Sequence, residues 1–550
     1  MLEGLMQDDF PLTVQHIRRR MRSCSPHAEV VTLTDKGITR ATFAQVSERV
    51  DRLARVLGTL GIEAGDRVGT FAWNNQRHFE LYMAIPCVGA VLHTLNVRLF
   101  AEQLTYIVNH AEDQVIFVDD SLVSLLEALA PSFEHVRNFV VMGDGDADRS
   151  EFGQLPNVLR YEQLLEQAGP GEFDYPELDE RQAAALCYTS GTTGNPKGVL
   201  YSHRSISLHS TATLMTDAVG LSRRDRVLAV VPMFHANAWG LPHGAALAGA
   251  DLILPDRFLQ AEPLAKLIEQ ERPTLVGCVP TIFADLLRYA DTHEVDLSSL
   301  TNAACGGSAV PRQLMKDFEE RHGVRIFQAW GMTETSPVAT YSRPDEHGEH
   351  DDAYWDQRAK QGRPLPWVEL RLTDDDGEEV AWDGASTGEI EVRGPWIAAR
   401  YFSDDSGDQK FASGWLRTGD IASIGDEGFV QITDRSKDVI KSGGEWISSV
   451  ELENEVMAHV DVIEAAVIAK PDERWAERPL CCVVLREGAD TSAEQLVEHL
   501  RSRVAKWWIP DEFAFIDEVP KTSVGKFDKK VLRGRLQEGE LQGRVMVGGE

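Results

Sequence analysis

With 550 residues, the chain is too long for one compact core, and its length favours several folding units. Its 87 acidic and 55 basic side chains give a net charge of −32, which disfavours nonspecific binding to nucleic acids and anionic membranes. Seven scattered cysteines lack the spacing of a metal site and predict reduced thiols. The sequence shows neither a signal peptide nor a long apolar span, so we expect a cytoplasmic protein without integral membrane association.

Short apolar runs alternate with amphipathic stretches along most of the chain. Helical spacing of apolar residues predicts a helix over 41–61. Apolar runs predict strands at 68–73, 115–118 and 139–141. The stretch 142–180, rich in Gly, Asp, Glu and Pro, predicts a surface connection. This alternation favours α/β layers with largely parallel sheets.

A β-rich stretch precedes Asp434, and a compact α/β segment follows it. The stretch before it has predicted strands at 388–393 and 428–433. The segment after it has predicted helices at 450–459 and 493–506 and predicted strands at 465–468 and 480–485. We therefore expect a large N-terminal domain of layered α/β subdomains with a β-rich subdomain, residues 1–434, and a small α+β C-terminal domain, residues 435–550.

A loop rich in glycine and hydroxyl groups follows the predicted strand Leu186–Tyr188. Residues 189–198 hold three glycines, four hydroxyls and Lys197, so backbone N–H groups, hydroxyls and one cation can meet phosphate oxygens. The loop is not a Walker A motif, because Gly198 follows the lysine where a hydroxyl is required. These residues predict phosphate binding, and a plain surface loop is the alternative.

Seven further segments accompany this loop in chain order. They are residues 232–239, 306–309, 328–334, 414–420, 434–438, 441–446 and 520–526. Together with the loop they closely resemble the signature motifs of the adenylate-forming superfamily, which contains acyl-CoA synthetases, peptide-synthetase adenylation domains and beetle luciferases. The resemblance covers nearly the whole chain, and Trp330-Gly-Met-Thr-Glu334 resembles the medium- and long-chain fatty acyl-CoA synthetase branch.

The resemblance implies an ATP-dependent fatty acid–CoA ligase, an acid–thiol ligase that forms an acyl-AMP and then an acyl-CoA. It implies ATP, Mg²⁺ and coenzyme A as small-molecule cofactors or substrates, and a homodimer by family analogy. One alternative is a CoA ligase for a short, branched or sulfur-containing acid. Others are a fatty acyl-AMP ligase that loads a carrier protein, a luciferase-type oxygenase, and a nucleotide-responsive binding protein without activity.

The resemblance also assigns roles to individual residues. Lys526 is the expected catalytic cation between the acyl carboxylate and the α-phosphate. Thr333 is expected to contact the α-phosphate, and Glu334 and Thr189 are expected on the Mg²⁺ side, although a Thr-Glu pair alone would predict a helix cap. Asp420 is expected to accept the ribose hydroxyls. The other expected nucleotide-binding residues are Ser190, Gly191, Thr192, Thr193, Gly194, Lys197, Gly307, Ser308, Gln328, Ala329, Trp330, Arg435, Lys437, Lys441 and Trp446.

The acid and CoA sites follow from two further motifs. Trp239 resembles the gate tryptophan of long-chain fatty acyl-CoA synthetases, with His235 and Ala236 beside it in the expected acyl site. The apolar run 241–250 suits a tunnel wall and suits a buried helix equally well. By resemblance, the segment Ser442, Gly443 and Gly444 passes the pantetheine arm, and a hinge near Lys437 lets the small domain rotate between the two half-reactions.

Overall fold

The computed structural model describes residues 4, 6–7, 9–143, 155–189, 195–344, 350–374, 376–403, 409–435, 438–442, 445–472, 474–521, 527–541 and 544–546. Helices lie in every part of the described chain. They are α1 Val14–Cys24, α2 Phe43–Thr59, α3 Gln76–Cys87, α4 Ala101–Ala111, α5 Val123–Glu127, α6 Tyr161–Ala168, α7 His203–Thr213, α8 Leu241–Ala248, α9 Ala261–Glu271, α10 Pro280–Ala290, α11 Arg312–His322, α12 Asp352–Arg358, α13 Ser449–Met457, α14 Ala493–Leu500 and α15 Lys529–Gln537.

Strands are interspersed with these helices along the whole described chain. They are β1 Glu29–Thr34, β2 Gly37–Thr42, β3 Arg67–Phe71, β4 Val91–Thr94, β5 Val115–Asp119, β6 Asn138–Met142, β7 Val158–Arg160, β8 Ala183–Tyr188, β9 Gly198–Ser202, β10 Arg226–Ala229, β11 Asp251–Leu254, β12 Leu275–Cys278, β13 Asn302–Gly306, β14 Ile326–Gly331, β15 Val338–Tyr341, β16 Arg363–Pro364, β17 Glu369–Thr373, β18 Glu379–Val380, β19 Gly388–Arg393, β20 Leu416–Ile424, β21 Val430–Arg435, β22 Ile440–Ser442, β23 Glu445–Ile447, β24 Val462–Asp472, β25 Ala476–Leu485, β26 Glu512–Phe515 and β27 Arg544–Met546.

Two large sheets, parallel at their centres, form the first part of the molecule. One has the strand order β7-β6-β5-β3-β4-β8-β9, and the other has the order β16-β15-β14-β13-β12-β10-β11-β1-β2. Parallel strands that are covered on both faces are apolar along their whole length, and β5 is buried at all five positions. In the nine-stranded sheet, β12, β13 and β14 run parallel, so their carboxyl ends open on the same edge.

The second part of the chain forms two smaller sheets. An antiparallel sheet has the order β18-β17-β19-β20-β21, and a C-terminal sheet has the order β23-β22-β25-β26-β27 with β24 paired to β25. The expected fold class, layered α/β subdomains with a β-rich subdomain and a small α+β C-terminal segment, is therefore confirmed. The boundary after Asp434 stays a prediction, and it falls within the end of β21.

The predicted elements correspond to observed ones, although their ends differ; the predicted strand 465–468, for example, is part of the longer β24. Two differences have a structural cause. The predicted helix 493–506 ends at Leu500, where the chain turns and the N–H of Arg503 donates to the carbonyl of Leu500 at 2.9 Å. This turn brings Trp508 against the apolar core of the small domain. The region 142–180 was predicted as a surface connection, yet it contains β7 and α6 with two buried side chains, which anchor the helix.

The remaining bulk expectations concern thiols and membranes. As predicted, the seven cysteines are free thiols, and all but Cys24 are buried. Burial raises the pKa of Cys87 to about 12, which keeps this thiol protonated and inert. Across the residues that the structure describes, no helix is long and apolar enough to cross a lipid bilayer.

Candidate active site

A cavity of about 440 Å³ lies at the carboxyl ends of β13 and β14, and residues of the antiparallel sheet and the C-terminal segment also line it. This one cavity is lined by six residues that the sequence analysis assigned to nucleotide binding from different motifs. They are Gly307, Ser308, Gln328, Ala329, Trp330 and Asp420. From the C-terminal side, Lys521 and Phe527 also line it. The fold therefore brings the predicted adenosine residues together in one place.

Trp330 and Asp420 are joined by a hydrogen bond across 90 residues of sequence. The indole Nε1 donates to Oδ2 of Asp420 at 2.9 Å, and both side chains are buried. The N–H of Asp420 in turn donates to Oγ1 of Thr418 at 3.1 Å. These bonds fix the direction of the carboxylate beside the cavity. Trp330 is thus a buried tryptophan that also orients a predicted ribose acceptor.

The side chain of Gln328 is occupied by the protein itself. Its Oε1 accepts from the N–H of Val310 at 3.1 Å, and its Nε2 donates to the carbonyl of Ala359. These bonds fasten the segment after β13 to β14. A side chain at Gly306 would meet the carbonyl oxygen of Ala329 at 2.6 Å, so glycine permits this close approach. Gln328 therefore shapes the wall with its side chain, and its carbonyl accepts from the N–H of Ser342 at 2.8 Å.

Glu334 lies in a short 3₁₀ turn, Thr333–Thr335, directly after β14. Its side chain is buried, and Oε1 accepts a hydrogen bond of 2.5 Å from the hydroxyl of Tyr401. The carbonyl of Thr333 accepts from the buried hydroxyl of Tyr201 at 2.7 Å. The alternative interpretation was a helix cap, but the Glu334 side chain bonds Tyr401 instead. The two tyrosines belong to no motif that the sequence analysis used.

Two hydrogen bonds close the base of the glycine-rich loop. The N–H of Thr189 donates to the carbonyl of Lys197 at 2.9 Å, and the N–H of Lys197 donates to Oγ1 of Thr189 at 3.1 Å. The ammonium of Lys197 lies 4.5 Å from the ring centroid of Tyr401. The predicted residues Ser190, Gly191, Thr192, Thr193 and Gly194 lie outside the described residues. The loop lysine is thus held next to the tyrosine that bonds Glu334.

The predicted acyl residues form a left-handed turn, Ala236–Gly240. The φ angles run from +42° at Ala236 to +74° at Gly240, and the half-buried His235 precedes the turn. The indole of Trp239 lies 3.4 Å from the point where a Cβ of Gly306 would stand, at the end of β13. Trp239 therefore stands next to the cavity wall. Sequence analysis did not predict this turn, and the presence of Asn237 and Gly240, which tolerate positive φ, is its one local signal.

The C-terminal residues are described in part. Lys526, Lys437, Gly443 and Gly444 lie outside the described residues. Arg435 is the strand partner of Asp420, and Lys441 faces Trp446 across the β22–β23 hairpin; their side chains lie outside the described part. Ser442 is buried, and its Oγ accepts from Nη1 of Arg478 at 3.3 Å.

A buried ionic network joins the end of β21 to the small domain. Oδ2 of Asp434 accepts from the N–H of Ser449 at 2.8 Å, and Lys529 pairs with Glu453 at 2.7 Å and donates to Oγ of Ser449. Burial raises the pKa of the Glu453 carboxyl to about 7, against the opposing pull of the Lys529 ammonium. Asp434, Glu453 and Lys529 also line the cavity. The cavity therefore has one charged wall beside the residues predicted to bind the nucleotide.

Comparison with protein families gives two matches along the chain. Residues 20–402 match the AMP-binding enzyme family, and residues 451–526 match the AMP-binding enzyme C-terminal domain. Three curated relatives are similar over nearly their whole length. The medium-chain-fatty-acid–CoA ligase of Ectopseudomonas oleovorans is 43% identical over 93% of this chain and 92% of the relative. The 3-methylmercaptopropionyl-CoA ligase of Ruegeria lacuscaerulensis is 43% identical over 96% and 98%. The long-chain-fatty-acid–CoA ligase of Thermus thermophilus is 42% identical over 97% and 98%.

Among solved structures, the fold is similar to that of the anthranilate CoA ligase AuaEII in complex with anthranoyl-AMP. The TM-score is 0.87 at 26% sequence identity, and the match covers 97% of this chain and 99% of that one. The similarity extends over both the large and the small part of the chain. It agrees with the family matches, which cover the same two parts.

Proposed function

This chain belongs to the AMP-binding enzyme family, within the adenylate-forming superfamily, and from that premise we propose that it converts a fatty acid to its coenzyme A thioester at the expense of ATP. The observation that carries the proposal is the shared cavity. Gly307, Trp330 and Asp420 line it from the large domain, and Lys521 and Phe527, which flank the predicted catalytic segment, line it from the small domain.

The reaction has two half-reactions that share one nucleotide site. A carboxylate oxygen of the acid attacks the α-phosphorus of ATP, and pyrophosphate leaves. The CoA sulfur then attacks the acyl carbon, and AMP leaves. Negative charge accumulates on phosphate oxygens in the first step, so cations and well-placed donors lower its barrier. The cationic roles fall to Lys197 for the leaving phosphates and to Lys526 for the α-phosphate and the acyl carboxylate.

The donor set of this chain fits a Mg²⁺ ion held largely by the nucleotide. Mg²⁺ in such sites takes one or two carboxylates together with substrate phosphates and water. Among the described residues, Oε2 of Glu334 accepts no hydrogen bond, and no group of three or more His, Cys, Asp or Glu side chains that could hold a metal occurs. Glu334 and the hydroxyl of Thr189 would hold the ion, which would neutralise charge on the phosphates.

The remaining site roles are also part of the proposal. Thr333 contacts the α-phosphate, Asp420 with Arg435 holds the ribose, and the wall at Ala329 and Trp330 holds adenine. Ser442–Gly444 passes the pantetheine arm after rotation near Lys437. Trp239, with His235 and Ala236, covers the acyl site. The homodimer and the cytoplasmic location stay predictions.

The fatty acid is favoured by two observations. Trp239 lies against Gly306, next to the cavity-lining Gly307, and directly precedes an apolar helix, α8, whose residues are nearly all buried. Two of the three relatives named above are ligases for medium- or long-chain fatty acids at 42–43% identity. The third acts on a sulfur-containing acid at the same level of identity, so 3-methylmercaptopropionate is the second candidate substrate.

A series of acids separates the two candidates. Burying one methylene contributes about 0.8 kcal/mol, which corresponds to roughly fourfold in kcat/KM per carbon until the site is full. We expect kcat/KM for CoA thioester formation, measured without any carrier protein, to rise steeply from butyrate through the medium chains. A flat profile, or a maximum at 3-methylmercaptopropionate, contradicts the fatty-acid assignment. Acyl-AMP formation without thioester formation contradicts the CoA ligase.

A further inference from the structure

Tyr401 connects the two charged groups that the proposed reaction needs on its phosphate side. The side chain is buried, and its hydroxyl donates to Oε1 of Glu334 at 2.5 Å. The ammonium of Lys197 lies over the face of the same ring, 4.5 Å from its centroid. We propose that Tyr401 is a positioning residue for adenylation, which fixes Glu334 so that the second carboxylate oxygen is presented to Mg²⁺·ATP. The inference rests on the metal role proposed above for Glu334.

The direction of the hydrogen bonds follows from the chemistry of the three side chains. The ammonium of Lys410 lies 3.4 Å from the Tyr401 hydroxyl oxygen, and a lysine can only donate. The hydroxyl therefore accepts from Lys410 and gives its single proton to Glu334. Donors and acceptors in such a chain polarise one another, which strengthens the bond to the carboxylate. Oε1 of Glu334 is thereby committed, and Oε2 is the oxygen left for a ligand.

The position of Lys197 depends on the same element. A cation over an aromatic face is attracted by the electron density of the ring. The residue after Tyr401, Phe402, donates its N–H to the carbonyl of Gly198 at 2.8 Å, directly after the lysine. The ring of Phe411 packs edge-on against Tyr401, with centroids 5.1 Å apart. The backbone bond and the cation contact thus hold the end of the glycine-rich loop against the segment that carries Tyr401, and Phe411 supports the Tyr401 ring.

The chain offers a matched control for the hydroxyl. Tyr161 donates to Oε2 of Glu80 at 2.6 Å, and both side chains are buried in the large domain. Neither residue lines the cavity. Tyr161→Phe therefore removes the same kind of bond, from tyrosine to a buried glutamate, at a place where no nucleotide is expected.

The test measures binding of ATP in the absence of acid and CoA, so that no turnover occurs. The dissociation constant of ATP is determined by calorimetry with Mg²⁺ and again with EDTA. The ratio of the constant in EDTA to the constant in Mg²⁺ reports the coupling between metal and nucleotide. We expect Tyr401→Phe to lower this ratio about tenfold, the scale on which the partner of a metal ligand acts. Tyr161→Phe should leave the ratio at the wild-type value and lower only the melting temperature.

Glu334→Gln is measured in parallel to separate the two proposals. A lower ratio in Glu334→Gln with an unchanged ratio in Tyr401→Phe overturns the positioning role and leaves the ligase assignment intact. An unchanged ratio in Glu334→Gln overturns the metal role of Glu334, and the positioning role falls with it. If Tyr401→Phe does not fold, Lys410→Met serves instead. It frees the hydroxyl to turn away from Glu334 and should lower the ratio about threefold; an unchanged ratio overturns the inference.

Discussion

Two buried glutamates of this molecule each accept a hydrogen bond from a tyrosine, and they differ in what happens to the other oxygen. Glu80, on α3, has both oxygens in use: Oε1 accepts from Arg49 at 2.6 Å and from Gln76 at 2.7 Å, and Oε2 accepts from Tyr161. In Glu334, the structure shows one oxygen bonded to Tyr401 and, among the described residues, no hydrogen bond to the other.

The difference distinguishes a structural carboxylate, Glu80, from Glu334, the carboxylate that we propose binds a ligand. A buried carboxylate whose oxygens all accept hydrogen bonds from the protein stabilises the fold and has no acceptor position left for a ligand. A buried carboxylate with one oxygen bonded and the other available has lost part of its hydration on folding. Binding of a cation to the available oxygen offsets that desolvation free energy. The same pair of residue types therefore serves two purposes, and substitutions should distinguish them.

The largest expected effect is on the rate when Glu334 becomes glutamine. Glu334→Gln keeps the shape and the bond from Tyr401 but removes the negative charge. We expect acid-dependent ATP–pyrophosphate exchange to fall about 10²- to 10³-fold, the scale for one group that stabilises developing charge. The melting temperature should stay close to the wild-type value. Exchange within a few-fold of wild type would show that Glu334 has no part in adenylation.

The matched substitution at the structural carboxylate should affect stability instead. Glu80→Gln deprives Arg49 of a buried partner and turns one acceptor into a donor. We expect the free energy of unfolding to fall by about 2–3 kcal/mol, measured by denaturant titration. The kcat of the folded fraction should be unchanged. A selective loss of kcat at normal stability would place Glu80 in the reaction and remove the contrast with Glu334.

The smallest expected effect is on the pH dependence of the unfolding free energy, through protonation of His78 on α3, the helix that also carries Glu80. Burial lowers the pKa of His78 to about 4, whereas the unfolded chain has a value near 6.5. The unfolded state therefore binds the proton first, and this histidine costs stability as the pH falls from about 6.5 towards 4. Between pH 7 and 5.5, His78→Gln should lose about 1 kcal/mol less unfolding free energy than wild type. Equal losses in both proteins would show that His78 does not titrate in this range.

Sequence patterns predicted much of the fold because parallel strands covered on both faces are apolar throughout. The runs at 115–118 and 139–141 are neighbouring strands, β5 and β6, of the seven-stranded sheet. Strand order was not predicted, since it depends on pairing between residues far apart in the sequence. The end of α14 at Leu500 was not predicted either, because it accompanies the packing of the nearby Trp508 against the core of the small domain. Local periodicity carries no information on those contacts.

The site was predictable to the extent that its residues fall in continuous motifs. Trp330 and Asp420 come from different motifs, and the structure places them 2.9 Å apart. Tyr401 was missed because it contacts Glu334 across 67 residues, and an isolated tyrosine has no spacing that reveals such a partner. The role of Lys526 stays a prediction, because it lies outside the described residues.

For enzyme engineering, the left-handed turn at the proposed acyl site limits which substitutions the backbone can accept. Four consecutive non-glycine residues, 236–239, have positive φ angles. For an L-residue this left-handed conformation costs about 1–2 kcal/mol relative to the right-handed one. Valine, isoleucine or threonine at these positions would displace the whole turn, and Trp239 with it. Directed evolution of acid selectivity will therefore progress faster when it keeps the backbone of 236–240 and randomises the helix that follows.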